Sequence, residues 1–170
     1  MMNPYLRFGI SALALISGLA IGIPADARTD CASNRNLAQV HRRLDGAIDQ
    51  LQHDRRDYGG HRIDAINDLQ NARVQLVAAE QWAANDDREN RACMRAYGAS
   101  GGSDANWGLR GQEGSNRDVW AVRAWVERMI DQLQRDQRDY DGHRVAAVNA
   151  MEAARAQLVD AEQYAKSQGY

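Results

Sequence analysis

One short motif occurs twice in this chain, and its spacing constrains the fold more than any other feature. The sequence DYGGHR at 57–62 recurs 82 residues later as DYDGHR at 139–144. The same offset relates flanking sequence, because IDQLQ at 48–52 recurs at 130–134. An internal repeat of this size fixes the architecture. The chain is therefore predicted to contain one supersecondary unit built twice.

Each unit is predicted to consist of two amphipathic helices joined by a tight turn. In the first helix, apolar residues recur every seven positions at Leu37, Leu44, Leu51 and Tyr58, which is typical of the buried stripe of a packed helix. In the second helix, alanine recurs at the same interval along 65–79. Small residues at this spacing allow two helices to approach closely.

The turn motif is interpreted first in structural terms. Gly60 and Gly142 suit the left-handed backbone conformation that ends a helix. An aspartate lies three residues before each glycine, where its charge opposes the helix dipole. Its carboxylate is therefore expected to accept N–H bonds from the start of the next helix, while the tyrosine covers the end of the core. The predicted turn residues are Asp57, Tyr58, Gly60, His61, Asp139, Tyr140, Gly142 and His143.

The register of the hairpin follows from the position of the turn. If the chain reverses at 59–60, Asp49 of the first helix is expected to lie near Arg73 of the second. Asp131 and Arg155 occupy the corresponding positions of the second unit. We therefore predict two ion pairs across the hairpins, each contributing at most about 1 kcal/mol at the surface.

The two units are predicted to span 33–88 and 115–170, with Ser33 and Ser115 as helix N-caps. A lone hairpin buries only one face of each helix. The predicted fold is therefore all-α, with two repeated antiparallel helical hairpins packed as an up-down four-helix bundle. Residues 89–114, rich in Gly, Ser, Asp and Asn, are a predicted spacer. Its length leaves open a dimer in which hairpins pair between chains.

The N-terminal segment has the features of an export signal. Arg7 precedes an apolar segment at 8–23, and the sequence ADA at 25–27 fits the small-x-small pattern before a cleavage site. The apolar segment is shorter than the roughly 20 residues of a spanning helix. Residues 1–27 are therefore a predicted signal peptide, and the expected location is periplasmic or secreted, with no stable membrane span after cleavage.

The two cysteines, Cys31 and Cys93, lie on either side of the first unit. An even cysteine count in an exported chain favours a disulfide. A Cys31–Cys93 bond would join the open end of the first hairpin and close a loop of roughly 60 residues, which contributes up to about 4 kcal/mol in the chain-entropy model. The alternative, thiol-redox catalysis, lacks the Cys-x-x-Cys spacing.

A divalent metal site is a second hypothesis for the histidine-bearing turn. His53 and Asp57 share one helix face, and His61 follows the turn, so the three could bind Zn or Cu. In the second unit, however, Arg135 replaces His53. Hydrogen bonding of His61 and its counterpart within the turn explains both copies and is the preferred interpretation.

The tryptophans are the stronger functional indication. Trp120 and Trp125 lie off the apolar stripe of the third helix, and such aromatic residues can mark a partner surface. The other interpretation, which we favour on sequence alone, is that they fill the seam between the hairpins. The serines beyond the predicted signal peptide lie at predicted caps, in the spacer or at the tail. The sequence contains no glycine-rich phosphate motif, so no catalytic residue is predicted.

The repeated arrangement Asp-Tyr-x-Gly-His-Arg-x-x-Ala, at 57–65 and 139–147, resembles small exported bacterial helical-hairpin proteins, which are mostly uncharacterised. The resemblance implies the hairpin fold and brings no activity. A formal net charge of −2 argues against nucleic-acid binding. The predicted function is a non-catalytic binding or structural role toward a protein or envelope partner, without a cofactor. The alternative is a small periplasmic divalent-metal-binding protein.

Overall fold

A computed structural model describes residues 25–85 and 115–169 of the 170-residue chain. No strand occurs in these two ranges. A single 3-10 turn, Tyr58–Gly60, precedes the second helix. The all-α fold predicted from the repeated units is confirmed. Within the described residues the four α-helices are α1 (Ala25–His53), α2 (His61–Asn85), α3 (Ser115–Gln134) and α4 (His143–Ser167).

The core is formed by the apolar stripes that the heptad spacing indicated. Leu37, Leu44 and Leu51 of α1 are fully buried. The alanines of α2 that recur every seven residues are fully buried as well, so α2 contributes a face with little side-chain volume. In the second hairpin, α3 likewise contributes larger buried apolar residues, and α4 contributes buried alanines at seven-residue spacing. The fully buried residues of this hairpin include Val122, Val126, Leu133, Ala147, Ala154 and Ala161.

The most extensive helix contact is between α2 and α4, the two alanine-lined helices. These helices are antiparallel, because His61 at the start of α2 contacts Gln157 in the second half of α4. His143 at the start of α4 contacts Gln75 of α2 in the same way. Small buried side chains allow this close approach. The central seam of the bundle is therefore built by the second helix of each hairpin.

The first helices of the two hairpins, α1 and α3, are also antiparallel neighbours. Arg56, just after α1, donates to the Oδ1 of Asn116 at the start of α3 over 3.2 Å. Arg138, just after α3, donates to the Oδ1 of Asn34 near the start of α1 over 3.5 Å. Each hairpin therefore places its turn beside the open end of the other.

This antiparallel packing of the two hairpins determines how the chain connects them. Every helix is antiparallel to both of its neighbours around the bundle, as the up-down prediction required. Along the chain, however, α2 and α3 lie diagonally opposite, are not packed against each other in the described structure, and run in the same direction. Residues 86–114 must consequently join opposite ends of the bundle, and this requirement accounts for the length of the predicted spacer.

Several predicted boundaries differ from those of the structure. The first helix begins at Ala25, so Ser33 lies inside it and is buried; the predicted N-cap at Ser33 is wrong. The helix ends at His53 and does not continue to Tyr58. Ser115 is the first residue of α3, but its side chain lies outside the described residues, so its capping role stays a prediction.

Two further predictions fall mainly outside the described residues. Positions 1–24 of the predicted signal peptide lie there, and its last three residues form the first turn of α1. The predicted spacer, 89–114, lies there in full. Among the described helices, none combines the length and apolar character that a membrane crossing requires.

The left-handed turn glycines provide a stability test. Gly60 has a φ of 98°, and a Cβ at this position would have no atom within 4 Å. The cost of Gly60→Ala is therefore purely conformational, and we expect a loss of about 1–2 kcal/mol in the free energy of unfolding, measured by urea denaturation. Asp141→Gly is the control, because Asp141 already has a φ of 56°. A loss of stability in the control equal to that of Gly60→Ala would contradict this explanation.

Candidate functional site

The corner of each hairpin is a run of three left-handed residues. Tyr58, Gly59 and Gly60 have φ values of 54°, 69° and 98°. The second corner, at 140–142, has φ values of 55°, 56° and 84°. Gly60 and Gly142 thus adopt the conformation predicted for them, whereas a left-handed tyrosine is uncommon. This backbone path reverses the chain while leaving the tyrosine ring buried at the end of the core.

A buried aspartate stabilises each corner. Asp54, 7% exposed, accepts a bond from the backbone N–H of Arg56 through Oδ1 at 3.0 Å and from the hydroxyl of Tyr58 through Oδ2 at 3.3 Å. Asp136, its counterpart, accepts a bond from the backbone N–H of Arg138 at 3.2 Å. Burial raises the pKa of the Asp54 carboxyl, and the two hydrogen bonds oppose that rise. These aspartates fix the segment between helix and turn.

The predicted capping role of Asp57 is therefore wrong. Its side chain makes no capping hydrogen bond. Its backbone carbonyl accepts bonds from the N–H groups of Gly60 and Arg62 at 3.2 and 3.3 Å instead. The carbonyl of Asp139 accepts a bond from the N–H of Arg144 in the second corner. Since α1 ends at His53, Asp57 is not in the last helical turn, and the dipole argument that selected it does not apply.

The arginine of each motif caps the preceding helix. Arg62 donates through Nη1 to the carbonyl of Leu51 over 2.9 Å. Arg144 donates to the carbonyl of Leu133 over 3.0 Å. A cation at a helix C-terminus satisfies a carbonyl that lacks a partner within the helix and interacts favourably with the dipole. The sequence interpretation missed this role, although the repeat placed an arginine at the same position in both copies.

The histidine of each motif connects the two hairpins. The Nδ1 of His61 lies 3.0 Å from the Oε1 of Gln157. The Nδ1 of His143 lies 2.9 Å from the Oε1 of Gln75. Both contacts are within hydrogen-bonding distance and link the start of one alanine-lined helix to the other. The predicted hydrogen bonding of these histidines within their own turn is replaced by a bond across the seam.

The weak metal candidates do not converge. The Nδ1 of His53 lies 2.8 Å from the carbonyl oxygen and 3.3 Å from the carboxylate of Asp49, on its own helix. His61 is directed toward Gln157, and the side chain of Asp57 is exposed. In the ranges 25–85 and 115–169, no group of three or more His, Cys, Asp or Glu side chains is arranged to hold a metal ion.

The two predicted ion pairs are not formed. Arg73 contacts Asp45 at 3.3 Å, one helical turn before Asp49. Asp49 contacts His53 of its own helix, as described above. In the second hairpin, Asp131 contacts Arg135, the residue just after the end of α3, at 2.8 Å. A neighbour four residues along the chain is nearer to each aspartate than the predicted partner across the hairpin.

In each hairpin, an ion pair joins the two helices at corresponding positions, which the sequence did not reveal. The Nδ1–H of His41 donates to the carboxylate of Glu80 over 3.0 Å. The Nε of Arg123 donates to Glu162 over 2.6 Å. These four residues correspond at the 82-residue offset. The first hairpin therefore has a titratable group where the second has a permanent charge.

The tryptophans differ in their surroundings. Trp120 is 47% exposed on α3. Trp125 is partly buried and packs against the core. Its counterpart on α1, Arg43, donates to Gln132 of α3, so this position faces the seam between α1 and α3. The partner-surface interpretation is therefore compatible with Trp120, and the seam interpretation with Trp125.

Two further aromatic residues lie at the corners. Trp82 is packed edge-to-face against Tyr140, with ring centroids 6.2 Å apart, and the guanidinium of Arg138 lies 4.9 Å from its ring centroid. Tyr164, its counterpart, lies over Gly59, where a Cβ would approach the ring to 3.0 Å. Both aromatics are partly exposed, but each one covers the corner of the other hairpin and so has a packing role.

Cys31 is buried, with 4% exposure, near the start of α1. Cys93 lies outside the described residues. The Cys31–Cys93 disulfide therefore stays a prediction. The described end of α2, at Asn85, lies at the same end of the bundle as the start of α1, which is the arrangement that this bond requires.

In comparisons with protein-family models, curated proteins and solved structures, no match to the chain was found.

The arginine caps provide a test of the corner geometry. Arg62→Ala removes a charged donor from the last carbonyls of α1, and we expect a loss of about 1.5–3 kcal/mol in unfolding free energy, measured by urea denaturation. The control is Arg55→Ala, because Arg55 is an exposed arginine between α1 and the turn. This substitution should change stability by no more than about 0.5 kcal/mol. Equal effects of the two substitutions would rule out the capping role.

The His41–Glu80 pair predicts a pH-dependent stability. The hydrogen bond to Glu80 raises the pKa of His41 above its usual value of 6.5, aided by Asp45, while burial and Arg73 oppose the rise. A raised folded-state pKa contributes stability that is complete below the unfolded-state pKa and is lost as pH rises through the folded-state value. Unfolding free energy should therefore decrease between pH 6 and 8, by at most about 1 kcal/mol for a partly exposed pair.

The matched control for this measurement is His41→Arg, which copies Arg123 of the second hairpin. The remaining histidines are the same in both proteins, so the difference between the two pH profiles isolates His41. We expect the variant to lose most of the decrease between pH 6 and 8. Superimposable profiles would show that the Glu80 contact does not depend on the charge of His41.

Proposed function

We propose that this chain is a non-catalytic exported helical protein that binds a protein or envelope partner through the outer surface of α3 around Trp120. The observation that carries this proposal is the exposure of Trp120 on a helix whose other large apolar residues are buried, apart from the partly buried Trp125. An exposed tryptophan offers a large, rigid and amphipathic contact area, which is the property of the residues that dominate interface energies.

Comparison of the two hairpins supports this assignment. Many residues that build the framework have the same type in both copies, as shown by Arg62 and Arg144 at the helix caps. Trp120 departs from this pattern, since its counterpart in α1 is Ala38. The bundle therefore does not require an aromatic side chain at this position. A large apolar residue that packing does not require, and that is 47% exposed, is better explained by contact with a partner.

The export part of the proposal is supported by the sequence. The segment 1–27 has the charge, length and small-residue pattern of a signal peptide. A Cys31–Cys93 disulfide would form in the oxidising environment that export provides. Cys31 is buried at the end of the bundle where α2 ends, so a bond there would restrain the segment that leaves α2.

The test uses a photo-crosslinking amino acid placed in the full-length protein in its native host. At position 120, we expect a covalent adduct of one defined mass, recovered from the periplasmic or extracellular fraction. The matched control has the same amino acid at position 38, the corresponding site of α1, and should give no such adduct. Equal adducts at both positions, or none at 120, would contradict the proposed surface, and recovery from the cytoplasm would contradict export.

Trp120→Ala separates a binding role from a packing role. Because the side chain is about half exposed, we expect the substitution to change unfolding free energy by less than about 1 kcal/mol. A crosslinker at the adjacent exposed position 117 should then lose its adduct in the Trp120→Ala background. Global unfolding of the variant would show that Trp120 is part of the packing between helices.

A further inference from the structure

The contacts between the two hairpins occur as mirrored pairs. Arg56 binds Asn116 on one side of the bundle, and Arg138 binds Asn34 on the other. Each contact is converted into the other by moving the arginine and the asparagine 82 positions in opposite directions along the chain. The interface is therefore isologous, as in a two-fold dimer, although both halves belong to one polypeptide.

The seam between α2 and α4 follows the same rule. His61 contacts Gln157, and His143 contacts Gln75. Each hairpin thus carries both halves of the mirrored contacts. Its second helix has a histidine and a glutamine, its first helix has an asparagine, and an arginine lies just after that first helix. The buried alanines that flank the seam also recur at the 82-residue offset. Nothing in these contacts requires that the two hairpins belong to the same chain.

One contact favours pairing of unlike hairpins. Arg43 of α1 donates to Gln132 of α3 over 2.6 Å, whereas the counterpart of Arg43 is Trp125. A first hairpin facing a second one places one arginine and one tryptophan in the seam between the first helices. Two identical hairpins would place either two arginines or two tryptophans there. The complementary combination is one hairpin of each kind.

The connection between the hairpins must cross the bundle. It leaves α2 at one end and enters α3 at the other, and α3 alone has 20 residues, a length of about 30 Å at 1.5 Å per residue. Two chains that exchange hairpins form two seams with the same contacts as two single-chain bundles. The equilibrium between the single-chain bundle and the exchanged dimer therefore depends on whether residues 86–114 can span the distance from the end of α2 to the start of α3.

From these observations we propose that, when the connection is too short to cross the bundle, the hairpin seam accepts a second copy of this chain, forming a dimer in which the first hairpin of each chain packs against the second hairpin of the other. This goes beyond the proposed function, because it concerns the inner seam and not the surface around Trp120. The long connection holds the chain in its single-chain form, and restricting its reach converts the protein to the exchanged dimer.

The test shortens the connection in an otherwise complete chain. Deletion of residues 92–114, combined with Cys31→Ser, leaves six connecting residues, 86–91, which reach at most about 25 Å. We expect a two-fold increase in mass by light scattering, with the helical circular dichroism per residue and the cooperative thermal transition retained. The control is the full-length Cys31→Ser/Cys93→Ser protein, which should remain at the mass of one chain.

A second pair of variants shows whether the dimer is the exchanged one. Arg56→Cys and Asn116→Cys place thiols across the seam in both the shortened and the full-length backgrounds. On treatment with a bifunctional thiol reagent long enough to replace the arginine side chain, the shortened chain should run as a covalent dimer on a denaturing gel, whereas the full-length chain should be cross-linked within one chain. A shortened chain that stays a folded monomer, loses its helices, or dimerises without this cross-link would overturn the proposal.

Discussion

The close approach of α2 and α4 is the contact on which the rest of the bundle depends. Alanines at seven-residue spacing remove side-chain volume from both helices, so the two hairpins meet along their second helices. The larger residues of α1 and α3 then close the core from the outside. Because the seam is antiparallel, each hairpin turn lies against the open end of the other. The corner motif can therefore act between hairpins, through His61 and His143, as well as within them.

Much of this fold could be predicted from the sequence, because local periodicity and an internal repeat report directly on helices and their number. Gly60 and Gly142 were predictable for the same reason, since few residues tolerate a left-handed backbone. The end of α1 was not, because Tyr58 continues the heptad spacing yet lies in a left-handed turn. Side-chain partners were predicted least well. Arg73 pairs with Asp45 and not with the predicted Asp49, which lies one helical turn away. A pattern of apolar residues does not distinguish between two aspartates on the same face of a helix.

The candidate surface illustrates a different limit of sequence reasoning. Spacing placed Trp120 and Trp125 together off the apolar stripe, but only the packing of α1 against α3 separates them. Trp125 faces that seam, where its counterpart Arg43 binds Gln132, whereas Trp120 is exposed. Comparing the halves of a repeated fold provides a useful criterion here. Positions that agree between halves describe the framework, and exposed positions that disagree, such as Trp120 and Ala38, indicate where one half has acquired a separate role.

The ring of Tyr164 over Gly59 has a consequence for how the two halves can change over time. Any side chain at 59 would approach this ring to 3.0 Å, while the corresponding position of the other corner already carries Asp141. A side chain at position 59 therefore requires the ring at position 164 to shift or to be replaced, whereas the other corner accepts a side chain without such a change. In related sequences, positions 59 and 164 should consequently vary together, although 105 residues separate them, whereas position 141 should vary independently of position 82.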